Sequence, residues 1–73
     1  MPKPDITIRG TRHRNAHEAI QHLAVSGDDR AILVGGMHLT VAEAEAERLE
    51  ASGIPFAYLS ERDGRIMTVP VND

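Results

Sequence analysis

The sequence lacks cysteine altogether and has only two aromatic residues, Phe56 and Tyr58. A chain without cysteine forms no disulfide and offers no thiolate to a metal ion or to a substrate. A disulfide-stapled secreted scaffold and a cysteine enzyme are therefore excluded. Because stacking-type binders of single-stranded nucleic acid need several exposed rings, the scarcity of aromatic side chains disfavours that class.

Long apolar runs are also missing. No stretch approaches the roughly 18 residues that a membrane-spanning helix requires. Residues 1–4 are not followed by the continuous apolar segment of a signal peptide. We therefore expect a cytoplasmic protein without a membrane partner. The 73 residues contain no repeat and no linker, so we predict a single domain over residues 1–73 with an irregular lead-in over 1–4.

Four segments have the pattern of β-strands. Residues 5–9 alternate between apolar and polar side chains, which is typical of a half-buried strand, and residues 31–34 form a continuous apolar run, which is typical of a central strand. Asp63-Gly64 is a strong turn signal. Pro70 has no N–H to donate, so the last strand is predicted to be an edge or to have stopped pairing by that residue. The predicted strands span residues 5–9, 31–34, 54–59 and 65–71.

Two segments have the pattern of helices with capping signals. Asn15 followed by Glu18 has the spacing of a capping box, in which side chains bond the free backbone N–H groups of the first turn. Thr40 followed by Glu43 has the same spacing. Apolar residues recur at helical spacing after both caps, and a glycine follows each segment as a stop signal. The predicted helices span residues 16–26 and 41–52, and end before Gly27 and Gly53.

The order strand–helix–strand–helix–strand–strand predicts an α+β domain. Helical crossovers of this length join parallel strands, nearly always with a right-handed connection. The first three strands are therefore expected to be parallel, and the fourth antiparallel to the third. We predict a two-layer βαβαββ sandwich, in which a four-stranded mixed sheet carries both helices on one face.

A basic rim is expected at one end of this sheet. Parallel strands deliver their following loops to a common end, where the helix N-termini also open and favour anions. Ligands favour that end in α/β sheets, and glycines there allow a close approach of the backbone. We therefore predict a non-enzymatic binding module whose rim holds a phosphate-bearing ligand or nucleic acid. The predicted site residues are Arg12, His13, Arg14, Gly35, Gly36, His38, Arg62 and Arg65.

The same residues support other interpretations. The basic cluster at residues 12–14 also suits a solvated loop, because surface charge is common, and Gly35-Gly36 also suits a tight strand-to-helix turn. Apolar residues lie on both sides of the last strand, so the sheet face away from the helices is either exposed or covered by a partner. The alternative function is a protein-interaction or homodimer module that uses this uncovered face, which would add buried surface to a short chain.

Histidines and serines form no recognisable catalytic or metal-binding set. His13 precedes the first predicted helix, and His17 and His22 are five residues apart, so the sequence brings no three ligands together. No serine lies in a nucleophile-elbow motif. We expect no metal, no cofactor and no catalytic residue, and enzyme activity is the least favoured of the three hypotheses.

The βαβαββ order resembles three groups of small domains: the C-terminal domain of bacterial translation initiation factor three, the archaeal chromatin protein Alba, and the small sulfur-carrier proteins with a Cys-Pro-x-Pro motif. In Alba-like proteins a basic loop before the first helix contacts nucleic acid, and Arg12 and Arg14 occupy the matching place. In the sulfur carriers the functional cysteine opens the first helix. This chain reads Arg14-Asn15-Ala16-His17 there, so the resemblance does not imply sulfur transfer.

Overall fold

The computed structural model describes residues 8–27 and 30–72. Within these ranges the domain is α+β, as predicted, but it has five strands rather than four. The lead-in over 1–4, and residues 5–7 of the first predicted strand, lie outside the described residues. The elements are β1 (Thr11–His13), α1 (Ala16–Ser26), β2 (Arg30–Val34), β3 (Met37–Val41), α2 (Glu43–Ala51), β4 (Phe56–Arg62) and β5 (Arg65–Val71).

The strands of the described residues form one sheet in the order β1-β3-β2-β4-β5. Every neighbouring pair in this sheet is antiparallel. The prediction of a four-stranded mixed sheet with three parallel strands is therefore wrong. The cause is β3, a strand absent from the prediction, which lies between β1 and β2. The βαβαββ order on which the family resemblance depends is consequently not the order of this chain.

Gly35 and Gly36 form the turn of the β2–β3 hairpin rather than the entrance to a helix. Their φ angles are 54° and 79°, and a type I′ turn requires positive φ at both central residues. Val34 and Met37 pair on either side of the turn. Glycine adopts these angles without a steric penalty, so the chain folds directly back on itself at this point.

Thr40 is a buried residue of β3 and does not cap a helix. Its exposed fraction is 0%. The second helix begins at Glu43, with Ala42 at the N-cap position and no side-chain hydrogen bond to the cap. The capping box predicted for the second helix is therefore wrong. Alternation along residues 37–41 overrides the local capping signal, because a strand in this place buries apolar side chains on one face.

The first helix forms as predicted, over residues 16–26. Asn15 is extended, and its Oδ1 accepts a hydrogen bond of 2.9 Å from the backbone N–H of Glu18. Gly27 ends the helix in the left-handed conformation with a φ of 80°. The Asn15 cap and the Gly27 stop each depend only on residues within one helical turn. They therefore predict the ends of the helix correctly even though the sheet was predicted wrongly.

Residues 8 and 9, the described part of the first predicted strand, do not lie in a strand. Residues 11–13, which lie in none of the predicted strands, pair with β3 as β1. Ile8 and Arg9 precede β1, and Ile8 packs against the core. A three-residue strand of polar side chains is too short for its alternation to be recognised in the sequence.

The two helices cover opposite faces of the sheet, so the domain has three layers rather than the predicted two. α1 packs on the face that presents Ala31 and Leu59. α2 packs Ala46 and Leu49 on the other face, over the larger apolar cluster. Successive residues of a strand point to opposite faces, so each central strand contributes to both clusters. The α2-side cluster contains Ile32, Val34, Leu39, Val41, Ala46, Leu49 and Phe56.

β4 and β5 form a long hairpin at one edge of the sheet. Asp63 and Gly64 make its turn with φ angles of 53° and 75°, as the sequence predicts. β5 is an edge strand, as Pro70 indicates. β2 pairs with only Ala57 to Leu59 of β4. The part of the hairpin nearest the turn therefore extends beyond the rest of the sheet as a two-stranded ribbon.

Candidate functional site

Five of the eight predicted site residues line one open concavity of about 490 Å³, which we call the arginine cleft. It lies where the end of β1, the β2–β3 turn and the start of α1 meet. Gly35 belongs to the same turn but is not among its lining residues. The arginine cleft is lined by Arg12, His13, Arg14, Glu18, Gly36, Met37 and His38.

The shared neighbour β3 brings these residues together. His38 of β3 lies opposite His13 of β1 on one side and opposite Leu33 of β2 on the other. Because β1 and β2 both run antiparallel to β3, they run in the same direction and finish at the same end of the sheet. The loops after the first two predicted strands therefore meet, although those strands are not neighbours.

Arg62 and Arg65 lie at the opposite end of the sheet. β4 runs antiparallel to β2, with Leu59 opposite Ala31, so the β4–β5 turn points away from the β2–β3 turn. The structure thus does not bring these two arginines to the cleft. The basic rim expected from the sequence is divided, because β4 is antiparallel to β2 rather than parallel to it. A separate concavity of about 630 Å³ is lined by Arg62, Asp63, Arg65, Ile66 and Met67.

Basic groups dominate the accessible surface of the arginine cleft. Arg12 and Arg14 are exposed, and among the described residues no carboxylate forms an ion pair with either guanidinium. His13 and His38 are half-buried and add imidazole rings to the lining. Among the described residues, Glu18 is the one acidic side chain of the lining. Since arginine stays charged at all ordinary pH values, the cleft has a net positive charge.

Two contacts fix His13 to the interior of the domain. Its Nε2 lies 3.1 Å from Thr40 Oγ1, within hydrogen-bonding distance. Its ring centroid lies 4.7 Å from the ring centroid of His22 on α1. One wall of the cleft is therefore anchored to β3 and to α1 together. Thr40 is absent from the predicted site, and the signal that points to it is the alternation of residues 37–41, which places His38 and Thr40 on one face.

Two kinds of site are not found in the parts of the chain that the structure describes. No three histidine, aspartate or glutamate side chains of residues 8–27 and 30–72 are grouped so that they could hold a metal ion. Neither helix in these ranges is long and apolar enough to cross a membrane.

Comparisons with protein-family models, with curated proteins and with solved structures find no match to this chain.

Proposed function

We propose that this chain is a binding module without enzyme activity, which holds a phosphate-bearing ligand in the arginine cleft. The observation that carries the proposal is the meeting of Arg12, Arg14 and His38 around one concavity. A guanidinium presents its N–H groups as a planar fork that matches two oxygens of a phosphate. Two such forks with an imidazole beside them favour a phosphate over a singly charged or neutral group.

The open cleft has the volume of a small-molecule site. About 490 Å³ falls within the roughly 300–1,000 Å³ that is usual for small-molecule sites. This volume suits a mononucleotide or the end of an oligonucleotide. The start of α1, next to Arg14, adds the positive end of a helix dipole and favours the same sign of charge on the ligand. The carboxylate of Glu18 repels an anionic ligand. The phosphate is therefore expected on the side of the cleft that is formed by the arginines.

A small phosphate ligand is supported better than a long nucleic acid. Arg62 and Arg65 lie at the other end of the sheet, so they do not share phosphates with the cleft arginines. The net charge of the chain is −3, whereas affinity for a long polyanion grows with the number of phosphates that basic residues contact. We therefore place the ligand's phosphate in the cleft, and we propose no path for a long nucleic acid along the surface of the domain.

Calorimetric titration with inorganic phosphate, a mononucleotide and a short single-stranded oligonucleotide tests this proposal. The double substitution Arg12→Ala/Arg14→Ala is expected to weaken binding by about tenfold or more, which corresponds to about 1.4 kcal/mol. The matched control Arg62→Ala/Arg65→Ala removes the same charge from the other end of the sheet, and is expected to leave the affinity nearly unchanged.

Four outcomes decide between the alternatives. Failure of all three probes to bind the wild-type chain would overturn the proposal, as would equal losses in the two double variants. Oligonucleotide binding that is steeply salt-dependent, and lost in both double variants, would indicate an extended nucleic-acid surface instead of the cleft. Loss of mononucleotide or phosphate binding in the cleft variant alone supports the proposal.

A further inference from the structure

β5 is an edge strand with apolar side chains exposed on both faces of the sheet. Each of its residues except Val71 is exposed. Ile66 is 37% exposed, Met67 52% and Val69 54%. Because side chains alternate along a strand, Ile66 points to the α1 face, whereas Met67 and Val69 point to the α2 face. An exposed apolar edge of this kind is a template for the addition of another strand.

In the ranges 8–27 and 30–72, no strand pairs with the backbone groups on the outer side of β5. Arg62 and Arg65 close a two-residue turn and so form a hydrogen-bonded pair, after which bonded and non-bonded pairs alternate along the hairpin. The odd-numbered residues of β5 then bond to β4. The backbone groups of Ile66, Thr68 and Pro70 turn outward. Pro70 leaves the β4–β5 ladder complete, since the N–H that it lacks would point outward.

We propose that β5 pairs with β5 of a second copy of this chain, antiparallel and about a two-fold axis at Thr68. In this register Thr68 lies opposite its own copy, and Ile66 lies opposite Pro70 of the other chain. Thr68 N–H donates to the Thr68 carbonyl across the axis, and Ile66 N–H donates to the Pro70 carbonyl. Symmetry repeats both contacts, so the two sheets become one continuous sheet.

In the same register, apolar side chains of the two copies lie opposite one another. Met67 lies opposite Val69 of the other copy on the α2 face, and the symmetric pair lies beside it. Tyr58, which is opposite Val69 across the β4–β5 ladder, extends this apolar row on each side. Cross-strand pairs of this kind stabilise a sheet by roughly 0.2–1 kcal/mol each, and their exposed surface would be covered.

Charge complementarity favours a second copy over an unrelated strand. Arg65 is placed opposite Val71 of the other copy, next to Asn72. The Asn72 Nδ2 donates a hydrogen bond of 2.8 Å to the Glu50 carbonyl at the end of α2, so the basic turn of one chain approaches the acidic helix of the other. Arg65 and α2 lie on the same face of the sheet, and the C-terminal end of a helix attracts cations. Glu43 and Glu45 of α2 already pair with Arg30 and Arg48, so the negative charge offered to Arg65 is that of Glu47 and Glu50.

The assembly closes at two copies. Pairing about a two-fold axis uses β5 of both chains, and among the strands that the structure describes it leaves β1 at each end of the joined sheet. β1 has only three residues, which is too few to recruit a further strand by backbone bonding. A dimer is therefore expected rather than an open array of sheets.

Sedimentation velocity over a wide range of protein concentrations tests the dimer. The wild-type chain is expected to form a reversible dimer. Thr68→Pro removes the central outward donor without touching the β4–β5 ladder, and Val69→Lys places a charge in the apolar row. Each is expected to weaken dimerisation by about tenfold or more, because the substitution is present in both copies at the interface. The control Val25→Lys alters a residue of α1 that is 83% exposed, and is expected to leave dimerisation unchanged.

A charge exchange tests the register independently of folding. Arg65→Glu is expected to weaken the dimer, and Arg65→Glu combined with Glu50→Arg to restore it, because the two side chains are placed near each other only across the two-fold axis. A wild-type chain that is monomeric at every concentration would overturn the proposal. So would a Val69→Lys variant that dimerises like the wild type, a charge exchange without rescue, or a series of ever larger assemblies.

Discussion

His13 and Thr40 join β1 to β3 through a side-chain hydrogen bond of 3.1 Å. Thr40 is completely buried, whereas His13 is half-buried and lines the arginine cleft. The hydroxyl of a buried threonine needs a partner, because an unsatisfied polar group in the interior is costly. The partner is a residue of the candidate site, so the interior of the sheet and the shape of the cleft depend on one another.

Removal of the Thr40 hydroxyl is expected to lower stability. Thr40→Val keeps the shape of the side chain and deletes the bond to His13, which is expected to reduce the free energy of unfolding by about 1 kcal/mol. Urea unfolding measures the loss. The matched control is Thr11→Val, at an exposed position of β1 that pairs with Thr40. An equal effect of the two substitutions would show that the hydrogen bond contributes nothing.

Gly10 is expected to tolerate no larger residue. A Cβ at this position would lie 2.6 Å from the Thr40 carbonyl oxygen and 2.7 Å from Val41 Cγ1. Since backbone cannot move aside without disturbing β3, Gly10→Ala is expected to reduce the free energy of unfolding by about 1–3 kcal/mol. Thermal unfolding compared with the neighbouring exposed substitution Thr11→Ala checks this. A stable Gly10→Ala variant would contradict the close approach of the two segments.

Glu45 is expected to make stability dependent on pH in the acid range. Hydrogen bonds from the Arg48 side chain and from the Arg9 backbone N–H lower the pKa of Glu45 from 4.5 to about 2. A carboxyl whose pKa is lowered by folding stabilises the folded chain above its unfolded pKa, and loses that effect as the pH falls towards its folded pKa. Glu45→Gln is therefore expected to destabilise the chain at pH 7, and by progressively less between pH 4.5 and about 2.

The size of the Glu45 effect is limited by solvent. Arg48 is 45% exposed, so screening reduces the contribution to the order of 1 kcal/mol. Urea unfolding at a series of pH values measures it. The control Glu47→Gln changes an exposed residue of the same helix, and is expected to have little effect at any pH. A Glu45→Gln loss that persists unchanged at the acid end would show that packing, and not the charge, is responsible.

The turn at Gly35 is expected to accept asparagine and to reject a β-branched residue. A type I′ turn favours Asn-Gly as well as Gly-Gly, because asparagine tolerates positive φ. Gly35→Asn is therefore expected to keep or slightly raise stability, and Gly35→Val to lower it by about 1–2 kcal/mol. Thermal unfolding of both variants is the measurement. Similar tolerance of both residues would contradict the hairpin.

Local signals explain which elements the sequence predicts. The Asn15 cap, the Gly27 stop and the Asp63-Gly64 turn each act within a few residues, so α1 and the β4–β5 hairpin follow from the sequence directly. The error at residues 35–41 arises because two signals conflict. Thr40 and Glu43 have capping-box spacing, whereas Gly-Gly followed by an alternating run predicts a hairpin and a strand. The burial that favours the strand comes from the whole sheet and is not visible locally.

The sequence predicts the part of the candidate site whose position depends on the directions of β1 and β2. Those strands run in the same direction, so Arg12, Arg14 and His38 meet. The direction of β4 depends on β3. Because β3 turns the chain back after β2, β4 runs antiparallel to β2 instead of parallel to it. Arg62 and Arg65 consequently lie at the far end. The bond between His13 and Thr40 connects residues 27 positions apart, and no local pattern indicates it.

The most direct test of the central claim is an amide chemical-shift map of the ¹⁵N-labelled chain during titration with inorganic phosphate and with a mononucleotide. The largest saturable shifts are predicted for the amides of residues 12–14, 36 and 38, which surround the arginine cleft. Shifts that concentrate at residues 62–65, or that fail to saturate anywhere in the chain, would contradict a phosphate site in the cleft.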